Sequence, residues 1–105
     1  MSRAQRGEIW LVDLGMVAKT RPVLIFSVAY IDQERSLVTF IPRTTSVRGT
    51  RFEVLHAGRD FDAGAFDAQG IATVPHVQLI RRLSVIDSPT LAQIETAVKR
   101  WLGLA

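Results

Sequence analysis

Short runs of apolar residues, many of them β-branched or aromatic, follow one another along the chain before Ser88, with glycine or proline at several of their ends. Runs of about four to eight such residues between turn signals are typical of β-strands. We therefore predict a mainly β fold. The predicted strands cover residues 7–14, 22–28, 37–41, 52–55, 71–74 and 79–83.

Two of these limits depend on proline, which lacks the N–H group that a strand between two neighbours needs. We expect Pro22 to open the second strand and Pro42 to end the third. Residues 58–70 are rich in Gly, Ala and Asp and are predicted to form the longest irregular stretch of the chain.

The segment after Ser88 has a helical period instead. Ser88 is a suitable N-cap, Pro89 suits the first helical position, and Gly103 suits the C-terminal end. The apolar positions that recur at helical spacing are Leu91, Ile94, Val98, Trp101 and Leu102. We predict one amphipathic helix, with Trp101 on its core side, that covers the open side of a small β-barrel.

The 105 residues are 48% hydrophobic and 22% charged, which predicts one domain over residues 1–105 with a substantial core. No cysteine is present, which excludes disulfides, thiolate nucleophiles and thiolate zinc sites. Residues 1–6 lack the apolar segment of a signal peptide, and no apolar run approaches the roughly 20 residues that span a bilayer. We expect a cytoplasmic protein that does not associate with membranes.

No group of residues has the spacing of a metal or cofactor site. His56 and His76 lie twenty residues apart, and Asp60, Asp62 and Asp67 do not match a calcium-binding loop. Phosphate-binding glycine loops, dinucleotide fingerprints and nucleophile elbows are also absent from the sequence. We therefore expect neither a metal nor a cofactor.

Two polar segments next to apolar strands combine guanidinium and hydroxyl groups: residues 19–22 (K-T-R-P) and 42–49 (P-R-T-T-S-V-R-G). Arginine can stabilise the charge that grows on a phosphodiester during cleavage, and a hydroxyl can position a proton. RNA supplies its own nucleophile, the 2′-OH. From residue types alone, however, a turn-capping role for the hydroxyls and a surface position for Arg21 is the simpler interpretation.

Three segments, in this order, resemble the MazF/PemK family of toxins, the endoribonucleases of type II toxin–antitoxin systems. They are residues 6–14 (R-G-E-I-W-L-V-D-L), 20–25 (T-R-P-V-L-I) and 42–46 (P-R-T-T-S). The resemblance implies a small SH3-like β-barrel with a C-terminal α-helix that works as a homodimer. It also implies metal-independent cleavage of single-stranded RNA at short sequences, leaving a 2′,3′-cyclic phosphate. The implied partner is a cognate antitoxin, and DNA would be contacted only through the toxin–antitoxin complex.

The resemblance places Arg21 at the catalytic arginine position and Thr44 at the catalytic hydroxyl position, with Thr45 as the alternative after a one-residue shift. Some members carry an acidic residue before a glutamine in a late strand, where this chain has Val77, so their general base is missing. His76 is a candidate substitute because histidine titrates near neutral pH. The residues expected to bind RNA are Lys19, Thr20, Arg43, Thr45, Ser46, Arg48 and Gln78.

Two further functions remain open from the sequence. One is a gyrase-inhibiting toxin on the same barrel, a mode that the last helical residues, 101–105, do not decide. The other is a non-catalytic SH3-like binding module, which would have no need to keep both Arg21 and Thr44. The segment 15–20 is shorter than the corresponding loop of many members, which leaves the cleavage sequence open.

Overall fold

The computed structural model describes residues 3–15 and 19–104, and this part of the chain forms a curled antiparallel sheet and a C-terminal helix. The strand order is β4-β5-β3-β2-β1-β7, and β6 also pairs with β3. The predicted mainly β fold with a C-terminal helix is confirmed. The elements are β1 (Glu8–Asp13), β2 (Thr20–Ile25), β3 (Leu37–Thr44), β4 (Glu53–Gly58), β5 (Phe61–Asp67), β6 (Ala72–Pro75), β7 (Leu79–Val85) and α1 (Ser88–Leu102), with 3₁₀ turns at Ala68–Gly70 and His76–Gln78.

The central strands are apolar almost throughout because both faces of the sheet are buried. Leu24 and Ile41 belong to a core cluster that also contains Ile94 of α1. Their strand neighbours Val23 and Phe40 belong to a second cluster on the opposite face. The sheet is therefore a rigid support whose ends can hold exposed side chains in fixed positions.

Both strand limits that relied on proline were wrong. β2 begins at Thr20 and β3 continues to Thr44, so each proline lies inside a strand. Pairing between β2 and β3 starts only at Val23, which leaves Pro22 paired with β1 alone. Pro42 lies where β3 changes partner, after its pairing with β6 and before its pairing with β5. At each position, one ladder is interrupted, so a missing N–H group is tolerated.

The predicted irregular stretch 58–70 was also wrong, because it contains β5 and its hairpin with β4. One of the small residues that suggested a loop, Gly64, is required by close packing. A Cβ atom on Gly64 would lie 2.5 Å from the Thr44 carbonyl oxygen and 2.9 Å from Arg43 Nη1. Small residues therefore mark the close approach of β5 to β3 rather than a turn.

The C-terminal helix is confirmed, but its N-cap is Asp87 rather than Ser88. The Asp87 carboxylate accepts a hydrogen bond from the backbone N–H of Thr90 at 3.0 Å. A carboxylate also interacts favourably with the positive end of the helix dipole. Gly103 ends the helix in the left-handed conformation, as predicted. Trp101 is 43% exposed and meets Phe52 edge-on, so it borders the core instead of filling it. No helix in the described residues is long and apolar enough to cross a membrane.

Candidate active site

Arg21 and Thr44 each lie two positions beyond the last paired residues of β2 and β3, Val23 and Pro42, at the end of this ladder. Both side chains line one cavity of about 330 Å³. The two residues that the sequence singled out for catalysis therefore share a site.

The structure distinguishes Thr44 from Thr45. Thr44 is the last residue of β3, and Thr45 follows it in a bend. Thr45 is exposed and is not among the described residues that line the cavity. The complete lining is Arg21, Pro42, Arg43, Thr44, Ser46, Arg48, Thr50, Glu53, Asp67 and Gln69.

The Thr44 hydroxyl is held in place by a local turn. Its Oγ1 atom accepts a hydrogen bond from the backbone N–H of Ser46 at 3.0 Å. A hydroxyl that accepts one bond still has its own proton to donate. The turn thus fixes the oxygen and leaves the O–H group able to bond a phosphate oxygen in the cavity.

Arg48 is carried by a turn that Glu53 stabilises. The Glu53 carboxylate accepts hydrogen bonds from the backbone N–H groups of Thr50 at 2.8 Å and Arg48 at 3.1 Å. These bonds, that of Thr50 first, lower the pKa of Glu53 below its ordinary value. Gly49, between the two donors, has a φ of 72°, which a residue with a side chain rarely adopts. Glu53 therefore shapes the cavity by organising its arginine-bearing turn.

Glu53 and Asp67 also line the cavity, although neither was predicted from the sequence as a site residue. They are paired across β4 and β5. Asp67 also accepts a hydrogen bond from the backbone N–H of Gln69 at 3.0 Å, in a short Asx-type turn. The D-A-Q-G sequence at 67–70 is a turn signal, but it does not reveal that the turn borders Thr44.

Arg43 has a structural position that the sequence prediction did not anticipate. Its side chain is 5% exposed, and its Nε–H group donates to His56 Nδ1 at 2.9 Å. Its Nη2 atom donates to the carbonyl oxygens of His56, at 2.8 Å, and of Asp62. Because residue 43 alternates with Thr44 along β3, its side chain points to the opposite face. We therefore assign Arg43 to the fold and omit its guanidinium from the proposed RNA contacts.

The buried Arg43 also determines the state of His56. Since Nδ1 accepts a hydrogen bond, the neutral ring carries its proton on Nε2. Burial, followed by the charge of Arg43, lowers the pKa of His56 below its ordinary value, and Asp87 opposes this shift. His56 is consequently neutral at pH 7 and joins β4 to β3.

The structure does not bring His76 or Gln78 to Arg21 and Thr44. His76 is buried, and its Nδ1 atom is hydrogen-bonded to the Tyr30 hydroxyl at 2.8 Å. Gln78 donates to the Asp13 carbonyl oxygen at 2.9 Å, beside the β1–β2 connection. Neither is among the described residues that line the cavity. His76 therefore lacks the contact that an acid or base in this cavity would need.

The segment before Arg21 is only partly described. Lys19 and Thr20 are exposed, and Lys19 has a positive φ of 55°. Residues 16–18 lie outside the described residues. They belong to segment 15–20, which is shorter than the corresponding loop of many MazF/PemK members. In the described parts of the chain, no group of three or more His, Asp or Glu residues has the arrangement of a metal site.

Comparison with known proteins agrees with this architecture. The family model for PemK-like, MazF-like toxins of type II toxin–antitoxin systems matches residues 5–102. An endoribonuclease solved with its cognate antitoxin from a mycobacterial species is 27% identical, with a TM-score of 0.84 and 97% of each chain covered.

Two further solved structures share the fold. The Mycobacterium tuberculosis toxin MazF-mt6 is 24% identical, with a TM-score of 0.81, and covers 93% of this chain and 98% of its own. A MazE–MazF structure from Deinococcus radiodurans is 19% identical, with a TM-score of 0.85 and full coverage of both chains. The family match begins three residues before β1 and ends at the last residue of α1. This chain therefore belongs to the PemK/MazF family of type II toxin–antitoxin toxins.

Proposed function

We propose that this toxin is an endoribonuclease that cleaves single-stranded RNA without a metal ion, with Arg21 and Thr44 at the reacting phosphate. The observation that carries the proposal is that these two residues, from β2 and β3, line one cavity. The mycobacterial structure at 27% identity, itself an endoribonuclease, supports the same activity.

The chemistry needs no nucleophile from the protein. The 2′-oxygen of the substrate forms a bond to the adjacent phosphorus while the bond from phosphorus to the 5′-oxygen breaks. The 2′-proton is lost to solvent and the 5′-oxygen gains one, which gives a 2′,3′-cyclic phosphate and a free 5′-hydroxyl. The nonbridging oxygens gain charge in the transition state, and stabilising that charge is the main task of the site.

Each residue has a distinct role in this scheme. The Arg21 guanidinium donates to the nonbridging oxygens and offsets their growing negative charge. The Thr44 hydroxyl, oriented by the Ser46 N–H group, donates to the same phosphate. Arg48, on the turn that Glu53 holds, binds a neighbouring phosphate of the strand. Lys19 and Thr20, exposed just before Arg21, extend the contact along the RNA.

The proposed partners follow from the family. We expect the toxin to form a homodimer. We also expect a cognate antitoxin that neutralises the toxin, with DNA contacted only through the toxin–antitoxin complex. The mycobacterial endoribonuclease was solved with its cognate antitoxin, which supports the expected antitoxin partner. Sedimentation of the purified protein, alone and with its antitoxin, would measure both assemblies.

The test is incubation of purified protein with a long single-stranded RNA in EDTA. We expect Arg21→Ala to lower the cleavage rate roughly 100- to 1,000-fold, the usual effect of removing one donor to a developing oxyanion. Thr44→Val should lose most activity, Thr44→Ser should retain it, and Thr45→Val should lose far less than Thr44→Val. Arg35→Ala, in an exposed loop, is the matched arginine control.

Two results would contradict the proposal: intact RNA after incubation with the wild type, or equal cleavage by wild type and Arg21→Ala. If the RNA stays intact, a DNA gyrase supercoiling assay would separate the two remaining possibilities. Inhibition would indicate the gyrase-directed toxin, and its absence the non-catalytic module.

A further inference from the structure

The cavity around Arg21 and Thr44 continues across the sheet to β5. Thr44 is paired with Ala65, and Asp67 lies two residues further along β5 on the same face. Such diagonal neighbours in an antiparallel pair are about 7–8 Å apart. This spacing is comparable to that between the phosphate and the base of one nucleotide. Asp67 therefore lies at a nucleotide's reach from Thr44, and Gln69, two residues later, lines the same cavity.

The β5 side of the cavity differs chemically from the β2 side. Asp67 is half-buried, and its Oδ1 atom accepts from the Gln69 N–H group at 3.0 Å. Among the described residues, neither Asp67 Oδ2 nor the Gln69 side-chain amide has a hydrogen-bond partner. Glu53, beside Asp67, already accepts the backbone N–H groups of Arg48 and Thr50. The groups that remain free to bind are one carboxylate and one amide.

A carboxylate repels the phosphates of RNA, so this part of the cavity suits the uncharged base of a nucleotide bound at Thr44. An ionised carboxylate only accepts hydrogen bonds, and it can accept two side by side. Guanine presents two adjacent donors, N1–H and N2–H, and places the acceptor O6 next to them. The Gln69 amide can donate to O6 while Asp67 accepts from N1–H and N2–H.

The other bases match this pair of side chains less well. Uracil has a single donor, N3–H, between two carbonyl oxygens, one of which would face the carboxylate. Adenine and cytosine each present one amino group next to an unprotonated ring nitrogen. Only guanine has the donor–donor–acceptor edge that complements an aspartate beside an amide.

Resting on the proposed nuclease function, we propose that Asp67 and Gln69 bind a guanine base in one of the two nucleotides that flank the cleaved phosphate. They are thus specificity-determining residues, and Arg21 and Thr44 remain the residues at the phosphate. The interaction makes cleavage fastest where guanine occupies this position.

The test compares short single-stranded RNAs that differ only at the base on the 5′ or the 3′ side of one cleavage site. For the wild type, we expect guanine to exceed uracil in kcat/KM by roughly 5- to 100-fold at one of the two positions. Hypoxanthine, which lacks the 2-amino group, should fall between them. Adenine and cytosine should also be cleaved more slowly than guanine.

Asp67→Asn is the decisive variant because asparagine is an equally good cap for the Ala68–Gly70 turn. It keeps one acceptor oxygen but replaces the other with a donor, so the guanine preference should disappear while the protein stays folded. Asp60→Asn makes the same change of charge at an exposed residue outside the cavity and should keep the preference. Gln69→Ala should reduce the preference without removing it.

Binding of RNAs with a 2′-deoxy sugar at the cleavage site separates this proposal from the nuclease proposal. Such RNAs are not cleaved, so a guanine-dependent dissociation constant that Asp67→Asn abolishes would support the base site independently of catalysis. Wild-type cleavage at equal rates for all bases would overturn the guanine site and leave the nuclease intact. Equal binding of all bases would overturn it whether or not RNA is cleaved.

Discussion

Arg21, Arg43 and Arg48 lie within 28 positions of one another, yet the fold uses them differently. Arg21 is exposed and lines the cavity, and Arg48 is carried into it by a turn. Arg43 is buried with its donors directed to His56 and Asp62. The difference arises from strand alternation, since residue 43 points away from the face that holds Thr44. Residue type alone therefore says little about which arginine meets RNA.

The burial of His56 next to Arg43 predicts a loss of stability in mild acid. The folded-state pKa of His56 lies below its ordinary value near 6.5, so the unfolded chain takes up the proton first. The stabilising contribution is complete above pH 6.5 and is lost as the pH falls towards the lowered folded-state pKa. Urea unfolding at pH 7.5, 6.5 and 5.5 should show a decreasing free energy of unfolding.

The groups around His56 determine how that experiment is controlled. Arg43 on β3 and Asp87 before α1 are its charged neighbours, and Phe61 and Phe66 of β5 pack against its ring. His56→Gln removes the titrating group, so its curve should be flatter between pH 7.5 and 5.5. A wild-type free energy that does not change over this range would contradict the assignment.

At the level of elements, the contact between β3 and β5 supports the candidate site. Gly64 lies against the Thr44 carbonyl oxygen and the Arg43 guanidinium, with no room for a side chain. β5, which the composition predicted to be a loop, therefore helps to position Thr44. It also carries Asp67, three residues after Gly64. Local propensity failed here because glycine and alanine are rare in strands unless another backbone approaches closely.

Gly64→Ala should separate β5 from β3. Its Cβ atom would lie 2.5 Å from a backbone oxygen, which cannot move without shifting the strand, so we expect a loss of about 1–3 kcal/mol in the free energy of unfolding. RNA cleavage should fall as well, since Thr44 moves with β3. Gly58→Ala is the matched control, because its nearest contact, at 3.0 Å, is the ring of Phe61 and not backbone. Equal stability of the two variants would refute the packing argument.

On the scale of the whole molecule, the formal charge of +3 is modest for the RNA binding that we propose. Electrostatic attraction must therefore come from where the arginines lie, above all from Arg21 and Arg48 at the cavity. The carboxylates of Glu53 and Asp67 next to them limit the positive potential to one part of the site. A charge pattern of this kind holds a phosphate at one place and leaves room for a base beside it.

Salt dependence of RNA binding should reveal the number of phosphate contacts. For single strands, each contact contributes about −0.7 to the slope of log K against log salt. With an uncleavable 2′-deoxy-substituted RNA, Arg48→Ala should make the slope shallower by about 0.7 and weaken binding of all sequences equally. Arg35→Ala should leave the slope unchanged. A wild-type slope near zero would argue against phosphate binding at this site.

The sequence by itself determined the elements whose signals are local. Apolar runs between turn residues located most of the strands, and helical spacing with Gly103 located α1 within one residue of its cap. The resemblance in segments 20–25 and 42–46 singled out Arg21 and Thr44, whose catalytic roles stay predictions. The predictions of strands and helix succeeded because periodicity and capping depend on residues close together in the chain.

Only the tertiary structure decided which side chains share the cavity. Asp67 lies 23 positions after Thr44, and it reaches the site because β5 pairs with β3 in one particular register. Strand pairing also sends Arg43 to the core, and it leaves gaps in the ladders that permit Pro22 and Pro42 inside strands. Strand register is fixed by the packing of both sheet faces over the whole molecule, and a shift of one residue would reverse every facing. No local feature of the sequence carries that information.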